Sequence, residues 1–325
     1  MRAWLTTALA GAVLCGTLSA GGRQTSSHDN LVVALVAAKR PVFGLYAPSA
    51  RQGGGGRRGA APTTPPPAPK TPMDLARETT AYPQNDYVFS GGFEGGVERA
   101  LPAFVEYVAA MRAAGASART HPLIVKTPKI AGDAATTTAE FSRILNTGVS
   151  GLMFVGVESA EEVRQGLAAM RFRSQGGTRP DDVGDAPAYW GVGDAEYRQK
   201  ADLWPLNPAG ALINWAIVES REGLARVREI AAVPGVGVLW PGAGTLRGVF
   251  TTTGPDGQRV FDAEGWESAI QRVLAACKEF NVACGYPASE NDIETRMQQG
   301  FSVFVMNWGD AGFRAVEKGR KAAGR

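Results

Sequence analysis

The sequence predicts a (β/α)8 TIM barrel, on three observations. Eight short apolar runs between residues 41 and 306 alternate with longer stretches whose apolar residues recur at helical spacing. The alternation fills roughly 285 residues, the size of one such barrel. No Gly-x-Gly-x-x-Gly turn follows the first run, which removes the main support for a doubly wound open sheet.

Residues 1–20 read as a secretory signal peptide: basic Met1-Arg-Ala-Trp4, an apolar stretch over 5–14, and small residues before Gly21. The stretch is too short for a membrane span, and the chain is expected to be periplasmic or secreted. Cys15 raises lipoprotein processing, but Leu14 stands where that signal wants a small residue. Residues 21–30 are polar and are expected as a disordered arm, and one domain then runs over 31–325. In it, 31–38 is a short helix and 41–48 the first strand. Residues 49–72 are dominated by Gly, Pro, Arg and Thr and read as a flexible insertion in the first strand-to-helix loop. Gly53 to Gly56 lack the strand-turn-helix context of a phosphate loop.

From there the pattern is regular. Helices are expected over 74–82, 97–114, 138–146, 220–230, 263–280, 289–300 and 311–323. Ser159 and Glu162 form a capping box that opens another. Strands fall at 86–90, 123–127, 151–157, 211–220, 237–241, 281–286 and 301–306. Residues 172–210 form a long irregular stretch, expected to be a lid or an oligomer contact.

Composition removes several function classes. A formal charge of +3 with no long basic run argues against nucleic acid. The two histidines, His28 in the arm and His121 before strand three, assemble no catalytic triad. Beyond the signal only Cys277 and Cys284 remain. With Cys277 on an apolar helical face beside Ile270, Val273, Leu274 and Phe280, two buried thiols are expected.

In a barrel the C-terminal strand ends share one rim. That rim gathers Glu94, Lys126, Asp133, Glu158, Glu219, the turn Gly242-Ala243-Gly244-Thr245, Tyr286, Asn307, Trp308 and Asp310. Lys126 interrupts an apolar strand, and a cation that holds a substrate carboxylate or carbonyl is preferred there over a Schiff-base lysine. Carboxylates on a rim suit Mg²⁺ or Mn²⁺.

These segments together resemble the HpcH/HpaI aldolase and citrate lyase family. Pro41-Val-Phe-Gly-Leu-Tyr46 is similar to its first strand, and residues 146–162 to its strand-four region. Ile217-Val-Glu-Ser-Arg-Glu-Gly223 resembles its metal-glutamate segment, and residues 235–246, ending Trp240-Pro-Gly-Ala-Gly-Thr-Leu246, fall where the family has its Gly-Pro-Ala-Asp-Leu turn. The resemblance implies a (β/α)8 carbon-carbon lyase acting on a small 2-oxo or hydroxy acid with a divalent metal, assembled as a trimer or hexamer. It makes Glu219 the metal ligand, Lys126 and Glu94 the catalytic pair, and Gly242, Ala243, Gly244 and Thr245 the substrate-binding turn. Four positions differ from the family's pattern: Thr245 replaces the second ligand aspartate, Ile217 a glutamine, Lys126 an arginine, and Phe93-Glu94-Gly95-Gly96 lacks the family's histidine. The alternative is a barrel that has lost catalysis and binds a periplasmic ligand or partner.

Overall fold

The computed structural model describes residues 29–50 and 68–325. The signal peptide, Cys15, His28, most of the polar arm and residues 51–67 of the Gly/Pro-rich segment lie outside the described residues.

Eight strands close a parallel barrel: β1 (Val42–Tyr46), β2 (Tyr87–Ser90), β3 (Leu123–Lys126), β4 (Gly151–Phe154), β5 (Leu212–Val218), β6 (Val238–Pro241), β7 (Ala283–Pro287) and β8 (Val303–Met306). Each pairs with the next, and β8 returns to β1 with Val42 opposite Val303. Every expected strand is present. Helices fill the connections and cover the outside, as burial of both faces of a parallel sheet requires.

The period of two along each strand decides what faces the bore. Val42, Tyr87, Phe89, Ile124, Met153, Ile213, Trp215, Ile217, Val238, Trp240, Val303 and Val305 form one buried cluster inside it. Their alternate neighbours join the larger cluster between sheet and helices. Trp215 stacks on Trp240 at 5.3 Å and meets the Tyr87 ring edge-on at 5.2 Å. Glycines face these rings: a Cβ on Gly44 would stand 2.1 Å from the Tyr87 ring, and one on Gly285 1.8 Å from Trp240. Neither strand position has room for a side chain. The helix Leu31–Ala37 plugs the lower end, with Val32, Val33 and Leu35 in the same cluster. The last two residues of the expected arm are ordered: the Asn30 side chain caps this helix through the Val32 amide and donates to Ala211 O at 2.9 Å.

Four expectations change. Cys277 and Cys284 form a disulfide, with Cα atoms 5.6 Å apart, where two thiols were expected. Asn281 adopts φ 52° between them, turning the chain back so that the outward-facing Cys284 meets the inner face of the preceding helix. The segment 172–210 is no lid. It holds the helices Ala186–Trp190 and Asp194–Lys200 and a two-residue strand Leu203–Trp204 beside β5. Tyr189 donates to His121 O and Trp190 to Gly148 O, just before β3 and β4, so it packs against the end opposite the rim. The helix expected over 220–230 divides into Arg221–Ala225 and Val227–Ala231. Gly223 lies so close to β4 that a Cβ there would stand 2.5 Å from Val157 O. Finally, a helix Ala243–Val249 and a hairpin Thr251–Thr253/Arg259–Phe261 follow β6, neither of them foreseen.

Candidate active site

The same alternation sets the rim. On β3, Ile124 faces the bore, so Lys126 does too, at the open end. On β5 the sequence Ile213, Trp215, Ile217 leads to Glu219, and on β1 the series Val42, Gly44 leads to Tyr46. Strand pleat alone therefore lifts a lysine, a carboxylate and a phenol above the aromatic floor. Just past β2, Gly91 adjoins the lysine and the phenol, and a Cβ there would stand 3.9 Å from Lys126 Cδ and from Tyr46 Cε1.

Glu94 comes to Lys126 on the short 3-10 turn Gly92–Gly95. Phe93, fully buried and edge-on to Phe104 at 5.0 Å, anchors that turn. The next residue then reaches across, and Lys126 Nζ donates to Glu94 Oε2 at 2.9 Å. The lysine side chain is 16% exposed and the glutamate 47%, so the pair has its acid toward solvent and its cation toward the floor. The Tyr46 ring packs edge-on against Phe89 at 4.9 Å. Burial pushes its phenol up, with the Lys126 charge pulling it back and Glu94 reinforcing the rise.

Glu219 occupies a second corner. Its Oε1 accepts the Gly156 amide proton at 2.9 Å. Gly242 packs so closely that a Cβ there would stand 2.4 Å from Glu219 Cβ and 2.7 Å from Oε2. Lys129 Nζ donates to Glu158 Oε2 at 2.9 Å beside it. That bond raises the Lys129 ammonium pKa, and Glu162 and Glu219 add to the rise. It lowers the Glu158 carboxyl, with the Ser220 hydroxyl as the second cause.

Of the expected turn, Gly242 gives its own amide to Val218 O at 2.9 Å, so it is not free to bind substrate. Ala243, Gly244 and Thr245 open the helix Ala243–Val249, where first-turn amides lack an intrahelical partner. Thr245 is exposed. Other rim candidates have structural work. Asp133 caps the helix Ala134–Leu145 through the amides of Ala135 and Thr136. Tyr286 faces the helix layer, with the Arg296 guanidinium 4.4 Å from its ring centre. Trp308 packs on Tyr82 and Phe313, and Asp310 begins the last helix. Asn307 is exposed just past β8.

Lys129 and Tyr46 were not singled out from the sequence. Tyr46 was legible from the pleat of β1, and Lys129 from its place in the loop that leaves the rim end of β3. A cavity of about 560 Å³ at the other end of the barrel is lined by Val36, Lys39, Trp204 and the disulfide, among others. It brings no carboxylate to its two lysines, so the rim is the better site chemically.

The family model for HpcH/HpaI aldolase/citrate lyase matches residues 98–313. The chain belongs to this family. It is 28% identical over 175 residues to the hydroxypyruvate/pyruvate aldolase of Paraburkholderia phytofirmans (strain DSM 17436 / LMG 22146 / PsJN), an alignment covering 54% of this chain and 59% of that protein. The chain thus spans less than two thirds of that relative's length. An HpcH/HpaI family protein from Burkholderia cenocepacia J2315 superposes with a TM-score of 0.63 at 21% identity, covering 91% of this chain and 100% of that one. The Mycobacterium tuberculosis protein CitE in complex with magnesium and acetate superposes at 0.50 and 16% identity, covering 89% and 92%. These superpositions establish the fold.

The donor set of an HpcH/HpaI divalent-metal site can be tested on the residues present. Among the described residues no three His, Cys, Asp or Glu side chains gather as a metal centre. Glu94, the carboxylate that could have replaced the missing ligand, pairs with Lys126, and Glu158 pairs with Lys129. Thr245 brings an uncharged hydroxyl. Glu219 has one oxygen engaged by a backbone amide and stands near a lysine. Hard divalent ions favour several anionic oxygens, and this corner does not assemble them.

Proposed function

We propose that this HpcH/HpaI barrel is a carbon-carbon lyase that cleaves a small 4-hydroxy-2-oxo acid to pyruvate and an aldehyde. The observation that carries the reading is the Lys126–Glu94 pair, a cation and a base 2.9 Å apart above a closed floor. The Glu94 carboxylate takes the proton of the C4 hydroxyl. The C3–C4 bond breaks, the aldehyde leaves, and the electron pair passes into an enolate whose C2 oxygen lies against the Lys126 ammonium. Glu94 then returns the proton to C3. A fixed ammonium beside a developing oxyanion favours the transition state over the ground state. The substrate carboxylate is assigned to the Glu219 corner, at the first-turn amides of Ala243 to Thr245.

Purified protein incubated with a panel of 4-hydroxy-2-oxo acids, with and without Mg²⁺ or Mn²⁺, is expected to release pyruvate. Lys126→Met, which keeps the length of the side chain and removes the charge that faces the enolate oxygen, is expected to abolish the release. No turnover on any member of the panel would sink the proposal. The second reading, a ligand-binding barrel without catalysis, is favoured by the missing carboxylate at Thr245. It would show as ligand-induced thermal shifts with no product.

Export to the periplasm or medium is part of the proposal, and the Cys277–Cys284 disulfide supports it, since such bonds persist in oxidising compartments. Assembly as a trimer or hexamer goes with it. Native mass spectrometry of the protein from its own host is expected to give a subunit starting near Gly21 and a copy number of three or six. An intact Met1 or a monomer would reject the corresponding part. Among the described residues no helix is long and apolar enough to cross a membrane.

A further inference from the structure

The corner that fails as a metal site already contains a cation. Lys129 lies three residues beyond Lys126, in the loop leaving β3, and its ammonium is held by Glu158 at 2.9 Å. Gly156, at the end of β4, has φ 57° and no side chain. A Cβ there would stand 3.8 Å from Lys129 Cδ, 4.0 Å from Lys129 Cε and 3.9 Å from Glu219 Oε1. The lysine stem and the glutamate carboxylate therefore border one small space beside Gly156, whose left-handed backbone favours glycine.

The electrostatics of that space run against a divalent ion. An ion on Glu219 would meet the neighbouring ammonium, and the carboxylates that could join Glu219 around it are engaged, Glu158 by Lys129 and Glu162 by the Glu158 amide. An anionic substrate group beside Glu219 needs a positive charge, and the ammonium can supply it. The side chain is 54% exposed, so it can leave Glu158 for a ligand without unpacking anything. Glu158 in turn sets where the cation waits when no ligand is bound.

Resting on the reaction class proposed above, we infer that Lys129 is an anion-binding residue of this site and that its ammonium takes the place of the divalent metal in holding the substrate's carboxylate. The binding step is then metal-independent, and Glu158 holds the cation while no ligand is bound.

The test uses oxalate, a planar dianion shaped like the pyruvate enolate, titrated calorimetrically into the full-length protein in EDTA. Wild type is expected to bind without metal, and added Mg²⁺ to change the affinity by less than about threefold. Lys129→Met is expected to weaken binding at least about tenfold, and Lys129→Arg to keep it within about threefold. Glu158→Gln, which removes the carboxylate that competes with the ligand for the ammonium, is expected to bind at least about threefold more tightly than wild type, an outcome that a merely structural ion pair would not give. Binding that requires Mg²⁺, Lys129→Met behaving as wild type, or no oxalate binding in either condition would overturn the inference. Turnover is not read, so the two readings fail separately. Metal-free oxalate binding without pyruvate release rejects only the lyase reaction, and pyruvate release with metal-dependent oxalate binding rejects only the role of Lys129.

Discussion

Replacing Glu94 with glutamine is expected to lower kcat for pyruvate release by about 10²- to 10⁴-fold, the range for loss of a positioned general base. The amide has the size of the carboxylate and still offers an oxygen to Lys126 Nζ, so the pair's geometry and the ligand affinity should survive. The loss should therefore fall on kcat, with KM changed by less than about threefold, as expected when an interaction made only in the transition state is removed. Comparing full Michaelis curves for the two proteins decides it. A variant with an unchanged kcat would show that the proton goes elsewhere, with Tyr46 next in line by position. Equal losses in affinity and kcat would mean that Glu94 mainly holds Lys126 in place.

The second large effect concerns stability and lies at the opposite end of the barrel. Asp86 is 3% exposed at the start of β2, and its carboxylate serves three partners. It accepts the Phe43 amide at 2.9 Å, the Arg320 guanidinium at 3.0 Å and the Arg325 guanidinium at 2.6 and 2.8 Å. Arg325 also donates to Pro41 O, so this one acid ties β1 and β2 to the C-terminal helix. Asp86→Ala would leave the buried Arg325 guanidinium with Pro41 O but no counter-charge, and would take the carboxylate from the buried Phe43 amide. Removing one member of a buried ion pair costs about 3–5 kcal/mol. The lower end applies here, because Arg320 is 23% exposed and can turn to water. Urea denaturation should show the midpoint falling with an unchanged m value. A loss under about 1 kcal/mol would mean that water already reaches the cluster.

The barrel was legible because its strand signal is redundant: eight apolar runs had to coincide with eight strands, and an error of two residues at either end changes nothing. Glu219, Lys126 and Glu94 were legible for a related reason, since the first two are charged residues at the end of apolar runs and Glu94 lies in the short turn that follows one. Their relations were not. That Glu94 would meet Lys126 depends on Phe93 anchoring a turn between them, a contact with Phe104 on a separate helix. The Cys277–Cys284 bond depends on one residue, Asn281, taking a left-handed conformation that a spacing of seven does not reveal. The segment 172–210 looked irregular because its helices have five and seven residues, too short for a periodicity to show. Lys129 was overlooked because a lysine in a polar loop reads as solvated until its bond to Glu158, a residue at the end of another strand, is seen.

The glycine–aromatic packing of the bore bears on which molecules this site can tell apart. With the Tyr87, Trp215 and Trp240 rings pressed against Gly44 and Gly285, the mouth is a dish with a solid base. In the proposed lyase reaction a substrate cannot lengthen downward, so the aldehyde half projects outward, past the turns after β2 and β6. Substrate range is therefore decided in segments that do not hold up the barrel. The aromatic floor, where a smaller side chain would leave a cavity, takes no part in that choice.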